Sequence, residues 1–225
     1  MKPATIFDFN GVLVDDEEIH LQTFRDVLGP MGIEISSESY WNTYIGFDDV
    51  GGFEAMLRDA GRQPTRAEID ELVELKKPHY LRRANQELKT FPGAAALIRH
   101  RASLGPVVVC SGALRDEVEL GLKVLGVRDL VDAIFAAEDT TVSKPDPEGY
   151  LKSIEFLRTK VGDDAQRALV IEDSVAGIHA AKAAGLPCIA VEHSYPREKL
   201  VAAGADQVVK VIAAIDADVV DSVVG

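Results

Sequence analysis

The chain has 225 residues, 47% of them hydrophobic, 27% charged and 6% aromatic, with a formal net charge of −13 at pH 7. That apolar content suits one good core with a smaller appended unit and is too little for three domains. The acidic balance argues against nucleic acid as the main partner, and no segment approaches the roughly 18 unbroken apolar residues of a membrane-spanning helix.

The chain enters a strand-like run, Thr5-Ile6-Phe7-Asp8-Phe9, almost at once. No charged segment followed by an apolar one precedes it, so no secretory leader is expected. From about Asp16 to about Thr90 the sequence is charged and helical in period, with candidate helices at Glu17–Leu28, Ser37–Tyr44, Gly52–Ala60 and Thr65–Leu88. Breaks are expected at Gly29 through Gly32, at Gly51-Gly52 and at Gly61 through Pro64. Thr65 followed by Glu68 makes a capping box for the fourth helix.

Beyond residue 90, β-branched runs alternate with helical stretches. Strands are expected at Val107–Cys110, Ala133–Ala136, Ala168–Ile171, Cys188–Val191 and Gln207–Val209. Helices are expected at Gly93–Ser103, Arg115–Leu125, Pro147–Lys160, Ala176–Ala184 and Pro196–Ala203. This alternation predicts an α/β fold: a Rossmann-like parallel sheet with helices on both faces, its strands buried on both sides. The expected division is a core of residues 1–15 and 91–225, with residues 16–90 inserted as a helical cap. A sequential two-domain chain is the alternative, but it would orphan the strand at residues 5–9. Cys110 and Cys188 lie in the apolar runs and are expected to stay reduced, which favours a cytoplasmic location.

Ligands of open parallel sheets bind at the carboxyl ends of the strands. There the sequence places Asp8-Phe9-Asn10-Gly11 through Asp15, then Ser111-Gly112 opening a helix. Ser143-Lys144-Pro145-Asp146 precedes the helix at Pro147, and Glu172-Asp173-Ser174 follows the next strand. Clustered carboxylates call for a hard cation, and Mg²⁺ suits a few oxygen ligands plus phosphate. Ser111, the amides near Gly112 and Lys144 suit phosphoryl oxygens, and a carboxylate held near phosphorus is a ready nucleophile.

These four landmarks resemble the haloacid dehalogenase superfamily, in the capped branch of β-phosphoglucomutase and many small-molecule phosphatases. Its first motif, Asp-x-Asp-Gly-x-x-x-Asp, is matched from Asp8 to Asp15 except at Asn10. Val107–Gly112, Lys144-Pro145 and Glu172-Asp173-Ser174 match the later motifs, and Phe91-Pro92-Gly93 fits the return to the core. The resemblance implies a phosphohydrolase that transfers phosphoryl to Asp8, with Mg²⁺ held by Asp8, Asp173 and the Asn10 carbonyl, supported by Glu172. It implies phosphate binding by Ser111, Gly112 and Lys144, and a cap site that includes His20 and the loop at Gly46-Phe47. The substrate it implies is a small phosphorylated metabolite, handled by a monomer or small homo-oligomer.

Asn10 stands where the family keeps its acid/base aspartate, and a carboxamide cannot exchange a proton at neutral pH. General acid–base help is typically worth about 10²–10⁴ in rate, so a slow enzyme is expected. Asp16 and Glu17 lie near enough in sequence to be considered as substitutes. The alternative is a catalytically lapsed relative that binds a phosphorylated ligand or a partner without turnover. Four residues separate Cys110 from Arg115, one fewer than the cysteine-phosphatase loop requires. The acidic Asp48-Asp49 beside Phe47 disfavours a bisphosphate substrate, and the stretch between Lys2 and Lys76 has no lysine for Schiff-base chemistry.

Overall fold

Short runs of β-branched residues build the sheet. In the computed structural model, which describes residues 3–225, the strands are β1 (Thr5–Phe7), β4 (Val107–Cys110), β5 (Ala133–Phe135), β6 (Leu169–Glu172), β7 (Cys188–Val191) and β8 (Gln207–Val209). Residues 1–2 of the expected core lie outside the described residues. The strand order is β5-β4-β1-β6-β7-β8, and every neighbouring pair is parallel. Ile6 is in register with Val108 on one side and Val170 on the other, so β1 is central.

By chain contacts the protein divides into two units, one running to Asp15 and resuming at Thr90, the other spanning Asp16–Lys89. Two short strands, β2 (Val14–Asp15) and β3 (Lys89–Thr90), stand where the chain passes from one unit to the other. In the sheet unit the helices are α5 (Ala94–Ala102), α6 (Arg115–Val124), α7 (Glu148–Val161), α8 (Val175–Ala183), α9 (Arg197–Ala202) and α10 (Ala217–Val224). Ile6, Val108, Val170 and Cys188 point to one face and bury against Tyr150, Ile154 and Leu157 of α7, Ile178 of α8 and Leu200 of α9. Side chains alternate along a strand, so Thr5 points to the other face, where Arg101 of α5 donates from Nε to its hydroxyl at 2.7 Å. Burial of each such aliphatic side chain contributes about 1.5–3 kcal/mol, which suits strands too short to stand alone. Helix α10 lies beyond the elements expected from the sequence; Asp216 accepts a hydrogen bond from the Val219 amide at 2.9 Å and starts it.

The second unit holds α1 (Glu17–Leu28), α2 (Ser37–Ser39) leading into a π-turn at Tyr40–Tyr44, α3 (Asp49–Asp59) and α4 (Arg66–Glu87). The Thr65–Glu68 capping box forms as expected. Gly51-Gly52, expected as a break, lies inside the first turn of α3, because Asp48 Oδ1 accepts the Gly51 amide at 2.7 Å and starts the helix earlier. Among the described residues, no helix is long and apolar enough to cross a membrane.

Candidate functional site

At the carboxyl edge of the sheet, Asp8 follows β1, Ser111 follows β4, and Glu172 ends β6 with Asp173 next to it. Oxygens of Asp8, Glu172 and Asp173 lie within 4.8 Å of one another, and all three residues are buried. Lys144 reaches into the cluster. Its Nζ donates to Asp8 Oδ1 at 2.6 Å, to Glu172 Oε1 at 2.7 Å and to the Cys110 carbonyl at 3.1 Å. Burial pushes the Asp8 carboxyl up to about 7, Lys144 opposing the rise and Glu172 adding to it. Burial alone would depress the Lys144 ammonium, but the two carboxylates outweigh it and hold that group well above its ordinary value.

The two acids at the end of β6 have different partners. Glu172 Oε2 accepts the amides of Asp173 and Ser174 at 2.8 and 2.9 Å and the Ser174 hydroxyl at 3.0 Å. Glu172 Oε1 accepts Lys144 and the Tyr150 hydroxyl, the latter at 3.1 Å. Burial would raise this acid, but Lys144 and the amides hold it below its usual range. So many donors fix Glu172 as the anchor of the lysine and of the loop that starts α8. The anchor needs Gly177, whose missing Cβ would stand 1.6 Å from Glu172 Oε1.

The turn after Asp8 is equally tight. Gly11 has φ +72°, its amide donates to the Val14 carbonyl at 2.9 Å, and a Cβ there would stand 2.0 Å from Asp173 Oδ2. Asn10 is on this turn, and its Oδ1 accepts the Ser111 hydroxyl at 3.3 Å. Ser111 Oγ also accepts the Ala113 amide at 3.1 Å, but α6 begins only after Leu114, whose amide Glu117 Oε2 accepts at 3.3 Å. Ser111-Gly112 therefore does not open the helix, contrary to the sequence reading. A surface pocket brings Ser111, Gly112 and Lys144 together with Cys110, Thr140 and Tyr150. Burial pushes the Cys110 thiol up to about 11, away from the reactive thiolate a cysteine phosphatase needs.

The remaining expected site residues lie in the helical unit. His20 Nδ1 is 2.8 Å from Lys76 Nζ, and His20 Nε2 is 3.3 Å from Asp16 Oδ2. Asp49 Oδ1 accepts Lys76 at 2.6 Å, so one acid of the Asp48-Asp49 pair caps α3 and the other neutralises a buried lysine. Gly46, at φ +81°, and the half-exposed Phe47 form the loop before α3. Sequence reasoning missed Gly177, and also His193 and Ser194 after β7. His193 Nδ1 lies 2.7 Å from the Gly11 carbonyl, and Ser194 donates to Asp173 Oδ2. A search for polar residues after every strand, β7 included, would have found the last two.

The chain is also similar to known proteins in sequence and in fold. The sequence profile of the haloacid dehalogenase-like hydrolases matches residues 5–191. The protein CbbY of Rhodobacter capsulatus is 30% identical over 204 residues, 86% of this chain and 87% of that one. A phosphoglycolate phosphatase of Yersinia pseudotuberculosis is 29% identical across 84% of this chain and 80% of its own length. The chain also matches the chloroplastic protein Suppressor of Quenching 1 of Arabidopsis thaliana at 30% identity, but spans only 18% of that protein's length. Among solved structures, an aspartate-to-asparagine mutant of CbbY from Rhodobacter sphaeroides, in complex with xylulose-(1,5)bisphosphate, superposes with a TM-score of 0.80 at 26% identity, covering 95% of this chain and 96% of that one. The chain belongs to the haloacid dehalogenase-like hydrolases, as a phosphohydrolase of their capped branch.

Proposed function

We propose that this chain is a Mg²⁺-dependent phosphatase that hydrolyses a small phosphomonoester through an aspartyl-phosphate on Asp8, slowly because position 10 is asparagine. The observation that carries the reading is the trio of buried carboxylates within 4.8 Å with a single lysine among them. One ammonium leaves the trio negative, and burial, with a smaller contribution from Glu172, raises the Asp8 carboxyl against the pull of Lys144. A hard dication with oxygen ligands fits it. As the family resemblance implies, Asp8, Asp173 and the Asn10 carbonyl would hold Mg²⁺, with Glu172, whose two oxygens anchor Lys144 and the loop before α8, in support. Bound there, Mg²⁺ would offset charge building on the phosphoryl oxygens.

The residues then divide the work. Lys144 and Ser111, with the amide of Gly112, hold the phosphoryl group at the strand ends. Asp8 Oδ attacks phosphorus, the bond from phosphorus to the ester oxygen breaks, and the leaving oxygen takes its proton from water. Water then attacks the aspartyl-phosphate and returns Asp8 as a carboxylate. Asn10 can orient Ser111 but can neither give nor take a proton in either step. Asp16 and Glu17 are engaged elsewhere: Asp16 accepts the Tyr80 hydroxyl at 2.5 Å and Glu17 the Tyr40 hydroxyl at 2.7 Å. In the cap, His20 and the Gly46-Phe47 loop are the proposed substrate-side residues. The phosphoglycolate phosphatase and bisphosphate-bound CbbY relatives support a small phosphorylated metabolite as substrate. Two free, buried cysteines support a reducing cytoplasm as its place.

The test compares p-nitrophenyl phosphate hydrolysis, with Mg²⁺ and with EDTA, by the native chain, Asn10→Asp and Asp8→Ala. The expected result is slow, Mg²⁺-dependent turnover that Asp8→Ala abolishes and Asn10→Asp raises by about 10² or more. An inert native chain alongside an active Asn10→Asp would favour the lapsed, ligand-binding reading, to which Asn10 itself points. Inactivity of Asn10→Asp as well would remove the main support for the mechanism.

A further inference from the structure

The loop after β7 lies beyond the residues the family profile covers, yet two of its side chains reach the carboxylate site. His193 Nδ1 is 2.7 Å from the Gly11 carbonyl oxygen. A carbonyl only accepts, so this nitrogen carries a proton. The imidazole stacks on Phe91, centroids 3.8 Å apart and planes 15° from parallel, and the Phe91 amide donates to the Leu13 carbonyl at 3.1 Å. The next residue, Ser194, donates from Oγ to Asp173 Oδ2. The Gly11 backbone lies against both groups: a Cβ there would stand 2.0 Å from Asp173 Oδ2 and 2.9 Å from Ser194 Oγ. Adjacent residues thus grip the two halves of the site, His193 the turn that follows Asp8 and Ser194 the acid that follows β6.

We propose that His193 and Ser194 are positioning residues that set the Asp173 carboxylate and the Asp8 turn in the geometry a cation needs. The proposal rests on the reading of Asp8 and Asp173 as Mg²⁺ ligands. A carboxylate's terminal torsion is broad and roughly two-fold, so burial by itself does not choose the direction of its oxygens. The Ser194 hydroxyl chooses it for Asp173. His193, wedged between Phe91 and the Gly11 carbonyl, keeps the turn pressed against that acid. Hydrogen-bond partners of metal ligands act in this way, and their loss typically costs about 10–100-fold in metal affinity or activity.

The test follows the rise of the thermal unfolding midpoint with Mg²⁺ concentration, a readout of binding independent of turnover. It uses the native chain, Ser194→Ala, Ser194→Thr, His193→Ala, His193→Asn and Asp173→Ala. Ser194→Ala should bind Mg²⁺ about 10-fold or more weakly, while Ser194→Thr, which keeps the hydroxyl, regains most of the affinity. His193→Ala should weaken binding in the same direction, and His193→Asn, which keeps a donor, should recover part of it. Metal-free midpoints close to native would separate positioning from a general loss of stability. Native affinity in Ser194→Ala, or equal weakness in Ser194→Thr, overturns the proposal and leaves the Mg²⁺ reading standing. If the native midpoint ignores Mg²⁺ and Asp173→Ala behaves identically, the Mg²⁺ reading itself falls, and this proposal with it.

Discussion

Each unit of the molecule buries a lysine among acids, and the two sites differ in what surrounds the charge. In the sheet unit, Lys144 Nζ is shared by Asp8 and Glu172 and lies 5.1 Å from the centre of the Tyr150 ring. In the helical unit, Lys76 is fully buried between Asp49 and His20, 4.8 Å from the centre of the Phe24 ring and 5.5 Å from that of Tyr80. Two carboxylates compete for Lys144, with a third acid beside them, so its site has negative charge left over to meet a ligand. At Lys76 one carboxylate and one imidazole take the ammonium, and aromatic faces close the rest. The first arrangement is poised for a further cation; the second pairs its lysine and holds α1, α3 and α4 together.

Lys144→Met should produce the larger effect. It strands the fully buried Glu172 carboxylate, and breaking a buried ion pair costs about 3–5 kcal/mol. The same substitution removes a positive contact to the transferring phosphoryl group, a loss typical of about 10²–10³ in rate. Urea unfolding and p-nitrophenyl phosphate turnover measure the two effects. A variant that stayed both stable and active would dissolve the distinction between the lysines. Lys76→Met should cost less, about 1–3 kcal/mol, because the Asp49 side chain keeps 12% exposure whereas that of Glu172 keeps none. Hydrogen exchange should show faster opening across residues 16–89 with the sheet unit unchanged; opening spread over both units would break the comparison.

The two lysines also differ in how far sequence reveals them. Asp8, Ser111, Lys144, Glu172 and Asp173 are readable because each stands at or near the end of an apolar run, and parallel strands bring such ends to one edge. The Lys76–Asp49 pair joins residues on two helices, and nothing in a 3.6-residue period says which helices meet. Gly177 is hidden for a related reason. Within α8 it reads as a weak helix former, while its role is set by the Glu172 carboxylate lying where a Cβ would be. Ser111 misled as a helix start because strand end and helix start are separated by a tight turn that the sequence compresses into a few residues. The sequence shows Asp48 and Asp49 as an acidic pair but not that Asp48 caps α3 while Asp49 pairs with Lys76.

The smallest expected effect, a dependence of stability on pH, sharpens the comparison with a signed result. Burial raises the Asp8 carboxyl to about 7 from an ordinary 3.8, and burial also raises Glu17 in the helical unit, where His20 and the Tyr40 hydroxyl counter it. The folded chain therefore holds these protons more tightly than the unfolded chain. Stability linked to them is present at low pH and is lost as pH rises from the unfolded value through the folded one. For Asp8 that window runs from about 4 to about 7. Replacing Asp8 with Asn removes the titration, so the native chain in EDTA should lose stability relative to Asp8→Asn across this window. Glu17→Gln should show the same sign in the helical unit, because burial raises that carboxyl too. Urea midpoints collected at intervals through the window measure both differences. Parallel curves for native chain and Asp8→Asn would mean that Lys144 alone balances the sheet-unit acids, and the case for a further cation there would lose its electrostatic ground.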